Sequence, residues 1–288
     1  MNVRLIHNFC MVVLLVLISS CIREDLSDCP PSQYAVQVSV KDKNYTNVDN
    51  FSQLVRMSES SPFSSFEGTI YYILTDPSTG KIVKGSSITP ISGGGQTYSI
   101  MFDDVPNGEY TLTVWGNVTS DYPIGVLHQD GKEYVDVYVG TATLKFGPNY
   151  QPVEVPLERA KGMLLVVCSN FPSVVTSIEQ NVNHVYPTVD ANLNYMGDTN
   201  VLKRVPFRTF ITTVLSPTSS GTSKVKLRFF ADNLDAVNPF FELPEMDLGV
   251  RRNEVSAISV DYKATDGVWE VQVFIQGEWV TLHRLTIE

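Results

Sequence analysis

Asp104-Val-Pro-Asn-Gly108-Glu-Tyr-Thr-Leu-Thr-Val-Trp115 joins a turn to a strand. Proline presets φ for a turn, and asparagine and glycine tolerate the left-handed geometry that closes it. From Glu109 onward polar and apolar residues alternate with period two, the pattern of a strand with one buried face. The same grammar extends in both directions. Upstream, residues 34–40 (YAVQVSV) alternate, 68–75 (GTIYYILT) are β-branched and aromatic, and Asp76-Pro-Ser-Thr-Gly80 turns into Lys81-Ile-Val83. Residues 96–102 form another strand after Gly93-Gly94-Gly95. Downstream, strands are expected over 151–157, 162–168, 207–215, 223–230, 255–262, 269–275 and 278–287. Helical spacing is scarce: 50–57 is the one candidate, and the serine-rich 58–65 after it is expected to be loop. Short strands separated by Gly/Pro turns predict an all-β chain built of β-sandwiches. A break at Leu157-Glu-Arg-Ala-Lys-Gly162 divides it into two tandem domains, 33–158 and 159–288.

The N-terminus is of another kind. Arg4 and His7 precede an uninterrupted apolar run, 9–18 (FCMVVLLVLI), and the small pair Ser19-Ser20. This is the anatomy of a secretory signal peptide, and the run is too short to span a bilayer as a stable helix. Ile18-Ser19-Ser20-Cys21 also fits the lipobox of bacterial lipoproteins. Small residues admit the peptidase, the Cys21 thiol accepts diacylglycerol, and the amine freed by cleavage can take a further acyl chain such as palmitate. Two or three chains give stable anchoring where one does not. The reading is therefore a signal peptide over 1–20 and a lipidated, polar tether over 21–32, closed by Pro30-Pro31. No later stretch approaches the ~20 apolar residues of a membrane helix.

The formal charge is −10, with Lys and Arg sparse and scattered. That balance argues against nucleic acid, which calls for a basic face, and against a charge-driven membrane contact. With Cys21 taken by lipid, Cys29 and Cys168 remain. An exported chain permits a bridge between them. Cys168, however, ends an apolar run (GMLLVVC) that looks like a buried strand, so a buried free thiol is an equal alternative. His128, His184 and His283 are widely separated, in no metal-ligand spacing. Neither a Gly-x-Ser-x-Gly elbow nor His-Glu-x-x-His occurs. Gly93-Gly94-Gly95 precedes a strand rather than a helix and so lacks a phosphate-binding helix N-terminus. Asp190-x-Asn192-x-Asn194 starts like a calcium loop but has Val201 where the closing glutamate belongs, and an Asx-rich turn explains it better. Trp115 closes an alternating strand and is expected in the core, and Trp269 and Trp279 lie in the last hairpin, where packing is the default. No catalytic residue, metal site or cofactor is expected.

Cys21-Ile-Arg-Glu-Asp-Leu-Ser-Asp-Cys29-Pro30 resembles the mature start of the FimB-like fimbrial anchor lipoproteins, the major and minor fimbrillin-associated anchor family. Val105-Pro-Asn-Gly-Glu-Tyr-Thr-Leu-Thr-Val-Trp-Gly-Asn117, the junction Leu157-Glu-Arg-Ala-Lys-Gly-Met-Leu and the layout from Asn170-Phe-Pro to Val189-Asp190 are similar to that family as well. The resemblance implies two transthyretin-like β-sandwiches and a non-catalytic protein at the base of a surface fimbria. It would be held on the outer membrane by its N-terminal lipid, would help set fibre length, and would meet fimbrial subunits by strand exchange. Arg23-Glu24-Asp25 resembles a signal that sends lipoproteins to the cell surface. Two other readings stand beside this one. Paired sandwiches also serve as glycan- or nutrient-binding surface lipoproteins, and two facing carboxylates would make a surface glycosidase.

Overall fold

Tyr34, Val36, Val38 and Val40 are buried and the residues between them half-exposed, so the alternation of the first strand is realised residue by residue. The structure, a computed structural model, describes residues 33–118, 125–127, 135–231 and 238–286. In chain order the first half contributes β1 (Tyr34–Val40), β2 (Thr69–Thr75), β3 (Ile82–Gly85), β4 (Thr89–Pro90), β5 (Thr97–Phe102), β6 (Gly108–Gly116), β7 (Gly125–Val126), β8 (Tyr138–Phe146) and β9 (Val153–Arg159). The second half contributes β10 (Gly162–Ser169), β11 (Ser177–Val185), β12 (Thr188–Val189), β13 (Tyr195–Met196), β14 (Thr199–Pro206), β15 (Phe210–Leu215), β16 (Ser223–Phe230), β17 (Phe241–Glu242), β18 (Met246–Leu248), β19 (Val255–Lys263), β20 (Val268–Ile275) and β21 (Glu278–Thr286). The chain is all-β, as expected.

In the first half β1 runs antiparallel to β5 and parallel to β9. Facing them, β2 lies between β3 and β6, and β6 pairs with β8 along its whole length. β8 and β9 meet only at Tyr138–Arg159 and Val139–Glu158, where the sheet folds over on itself. The resulting two layers enclose Val36, Val38, Leu74, Leu112, Val114, Leu144, Val155 and Leu157, all at zero exposure. Aromatic rings close one end: Tyr34 stacks on Phe146 at 4.3 Å, and Tyr150 meets both edge-on.

The second half repeats this topology. β10 is antiparallel to β15 and parallel to β19, as β1 is to β5 and β9. β11 lies between β14 and β16, as β2 lies between β3 and β6. The addition is the β20–β21 hairpin beyond β19. Leu164, Val166, Ile178, Val182, Leu227, Phe229, Val260 and Val271 form its core. Trp269 is fully buried among Phe171, Phe241 and Tyr262.

Trp115 is also fully buried, but outside the first sandwich. It lies with Tyr71, Val139 and Val189 in a separate cluster, where β12 pairs with β7 and β13 to form a small three-stranded sheet. The helix expected over 50–57 does not form; a single 3-10 turn, Val48–Asn50, stands just before it. The reason is local. Asn47, which would cap a helix there, instead clamps the backbone of Val255, donating from Nδ2 to its carbonyl and accepting from its N–H, both at 2.8 Å. Val48 and Phe51 are then drawn onto Leu165, Val255 and Ala257. The described residues from Tyr34 onward belong to one compact unit.

Candidate assembly surface

Of the residues singled out in the sequence, Cys21, Arg23, Glu24, Asp25, Cys29 and His128 lie outside the described residues. Cys168 sits on β10 with 3% exposure, and burial pushes its thiol up to about 12, which leaves no thiolate at neutral pH. His184 occupies the bulge of β11 with φ of 60° and places Nδ1 3.2 Å from Asp198; His283 lies on β21. Asp190 folds its own turn, accepting from the backbone N–H of Asn192 and Asn194 and from the Asn194 amide. Among the described residues no group of three or more His, Cys, Asp or Glu could hold a metal ion.

The junction motif makes a buried polar knot. β9 ends at Arg159 and β10 begins at Gly162, so only Ala160 and Lys161 link them. The Arg159 guanidinium lies over the Tyr45 ring at 3.9 Å, donates to the Tyr138 hydroxyl and Asn253, and pairs with Asp136 at 3.2 Å. Tyr45 donates to the same carboxylate, and Lys161 donates to the Val135 carbonyl. Arg252 joins from the far side, binding Asp42, Glu158 and the Arg159 carbonyl. A cleft of about 350 Å³ opens onto this knot between Lys43 and Met57. Its polar floor is engaged in internal pairs, Tyr45 with Asp136 and Arg159 with both Asp136 and Tyr138. Near it Glu67 is fully buried, with both carboxylate oxygens unpartnered. Burial pushes its carboxyl well above the usual range; Asp136 adds to this and Arg159 opposes it.

A run of exposed apolar residues also lies on the last hairpin. Among the described residues β21 pairs with β20 alone, leaving its other edge open. Along it Trp279, Val280 and Leu282 are 39%, 42% and 37% exposed, and Ile275 stands beside them at the end of β20. Trp279 is steadied edge-on against Phe274 and Phe51. An apolar, unpaired edge of this kind is a template for another strand. The alternation in 278–287 marked a strand, but which strand ends a sheet depends on topology, which no local signal carries.

A family model described as fimbrillin-A associated anchor proteins Mfa1 and Mfa2 matches residues 26–223. No curated protein sequence matches the chain. Among solved structures, the fimbrial anchor protein Mfa2 from Porphyromonas gingivalis is similar at a TM-score of 0.51 and 13% identity, over 88% of this chain and all of that one. A candidate adhesin from Bacteroides ovatus is similar at a TM-score of 0.52 and 14% identity, covering 91% of this chain and 97% of that one. A candidate polysaccharide-binding protein from Bacteroides thetaiotaomicron reaches a TM-score of 0.54 at 11% identity, over 87% and 98%. At such identities the structural likeness speaks for the fold alone.

Proposed function

Because the chain belongs to the family of fimbrillin-A associated anchor proteins, we propose that it is a non-catalytic, lipid-anchored subunit that fastens a surface fimbria to the bacterial outer membrane and helps set its assembly or length. Cys21 carries the lipid, residues 21–32 form the tether, and Arg23, Glu24 and Asp25 direct the protein to the outer face. The folded part comprises two transthyretin-like domains, 33–158 and 159–288, in keeping with the repeated strand order.

The observation that carries the assembly role is the open edge of β21. A fimbrial subunit contributes an extended segment there, gaining main-chain hydrogen bonds along Glu278–Thr286 and covering Val280 and Leu282. The experiment is co-purification from detergent-solubilised outer membrane, with the affinity tag placed in the exposed turn at Thr79-Gly80, away from β21. Wild-type protein is expected to bring down a ladder of fimbrial subunits. The double variant Val280→Lys, Leu282→Lys is expected to lose that ladder while the cells shed fibres into the medium. Equal recovery from both would remove β21 as the contact. Recovery of the protein with sugar-processing partners and no fimbrial subunit would replace the anchor reading with a glycan-binding one.

A further inference from the structure

β21 is not the only unpaired edge. In each half the two facing sheets also end side by side, at β3 and β5 in the first and at β14 and β15 in the second. These are topologically the same positions. The second is visibly open: a cleft of about 560 Å³ lies there, lined by Lys203, Val205, Phe210 and Ile211 among others. Phe210 is 42% exposed at its rim.

Both sides carry a lysine where an edge strand's inward face calls for an apolar residue. Lys84 on β3 stands opposite Leu74, a fully buried core residue, so it shares the core-facing side of the sheet. Its ammonium reaches across to the Asp103 carbonyl, just beyond β5, at 2.8 Å. Lys203 on β14 stands opposite Gln180, which is buried between Ile178 and Val182. Its ammonium reaches across to the Thr212 carbonyl and Thr213 hydroxyl of β15, at 3.3 and 3.4 Å. In both sandwiches, then, an inward-pointing lysine on the equivalent edge strand, β3 or β14, ties the two sheet edges together. A strand added to either edge would have to bury that ammonium or tear it from its carbonyl. An inward charge on an edge strand is a recognised defence against edge-to-edge pairing.

We propose that Lys84 and Lys203 are gatekeepers that close the β3–β5 and β14–β15 sides against strand addition by a second copy of this chain. The consequence is selectivity: copies crowded on one membrane through their lipids do not stack edge to edge. The proposal stands independently of what pairs with β21.

The test uses the full lipidated chain in detergent, with mass read by light scattering over a range of concentrations. Wild type and Lys145→Met, which removes an exposed lysine from β8, are expected to stay monomeric. Lys84→Met and Lys203→Met are expected to double in apparent mass, with new hydrogen-exchange protection in β3–β5 for the first and in β14–β15 for the second. Lys203→Gln, which keeps a polar donor, serves if the methionine variant unfolds, and is also expected to self-associate. Folded variants that remain monomeric, or dimers protected only at β21, would overturn the proposal. Co-purification of fimbrial subunits is scored separately, so failure of the anchor reading leaves these outcomes intact.

Discussion

Glu67 is a carboxyl group enclosed with no hydrogen-bond partner, and its folded-state affinity for a proton is raised by burial. A group whose folded pKa lies above its unfolded value favours folding most at low pH. Stability is then lost as pH climbs from the unfolded value toward the raised one, because the unfolded chain releases its proton first. Glu67→Gln keeps the shape and removes the titration. It is expected to raise stability by about 1–3 kcal/mol at neutral pH, with the gain vanishing below about pH 4. Urea unfolding of both forms across that range checks it. Arg159 presents the opposite case, a buried charge that is fully partnered. Arg159→Ala strands Asp136 and opens the bonds to Tyr138 and Asn253, and is expected to cost about 3–5 kcal/mol in the same assay. Lys41→Ala, which breaks an exposed pair with Glu158, is expected to leave the unfolding midpoint where it was.

Among the described glycines the closest approach to another stretch of backbone is at the start of β10. A Cβ on Gly162 would come within 2.1 Å of the Arg251 carbonyl oxygen, a backbone atom that cannot step aside. Gly162→Ala is therefore expected to destabilise the protein by about 2–3 kcal/mol, seen as a lowered thermal midpoint. That glycine was visible in the sequence only as the end of a break between strands. Strands with one wet and one dry face were plainly legible: β1 and β16 match their expected limits, and β6, β10, β19 and β20 match within a residue. β11 and β14 were not foreseen. In β11 Glu179, Gln180, Asn181 and Asn183 break the alternation, and Glu179 lies buried only because Arg204 and Arg228 reach it from β14 and β16. A strand assembled from cross-strand ion pairs has no periodic hydrophobic signature of its own. The strand expected over 207–215 spans Phe210–Leu215; Phe207 instead donates its N–H to the Thr176 carbonyl, ahead of β11. Lys84 and Lys203 were likewise silent in the sequence, since their inward direction exists only once the edges are known.

For the whole molecule, the proposed attachment rests on one residue, Cys21. Cys21→Ala is expected to move the protein from the detergent phase to the aqueous phase on phase separation and to abolish palmitate labelling, with the fold unchanged. Glu24→Ala with Asp25→Ala is expected to keep the lipid but lose digestion by protease added to intact cells. The parallel pairing of β1 with β9 has a mechanical outcome. Tension drawn through a tether enters the described fold at Tyr34, where β1 begins. That strand is gripped on both sides, by β5 in one direction and by β9 in the other. A pull along its axis strains both ladders at once, in shear, instead of unzipping them rung by rung. β10 is clasped the same way between β15 and β19. Forced unfolding is governed by the height of the barrier rather than by equilibrium stability. A chain of modest thermodynamic stability with this strand order would therefore still resist being dragged apart by a fibre in flow.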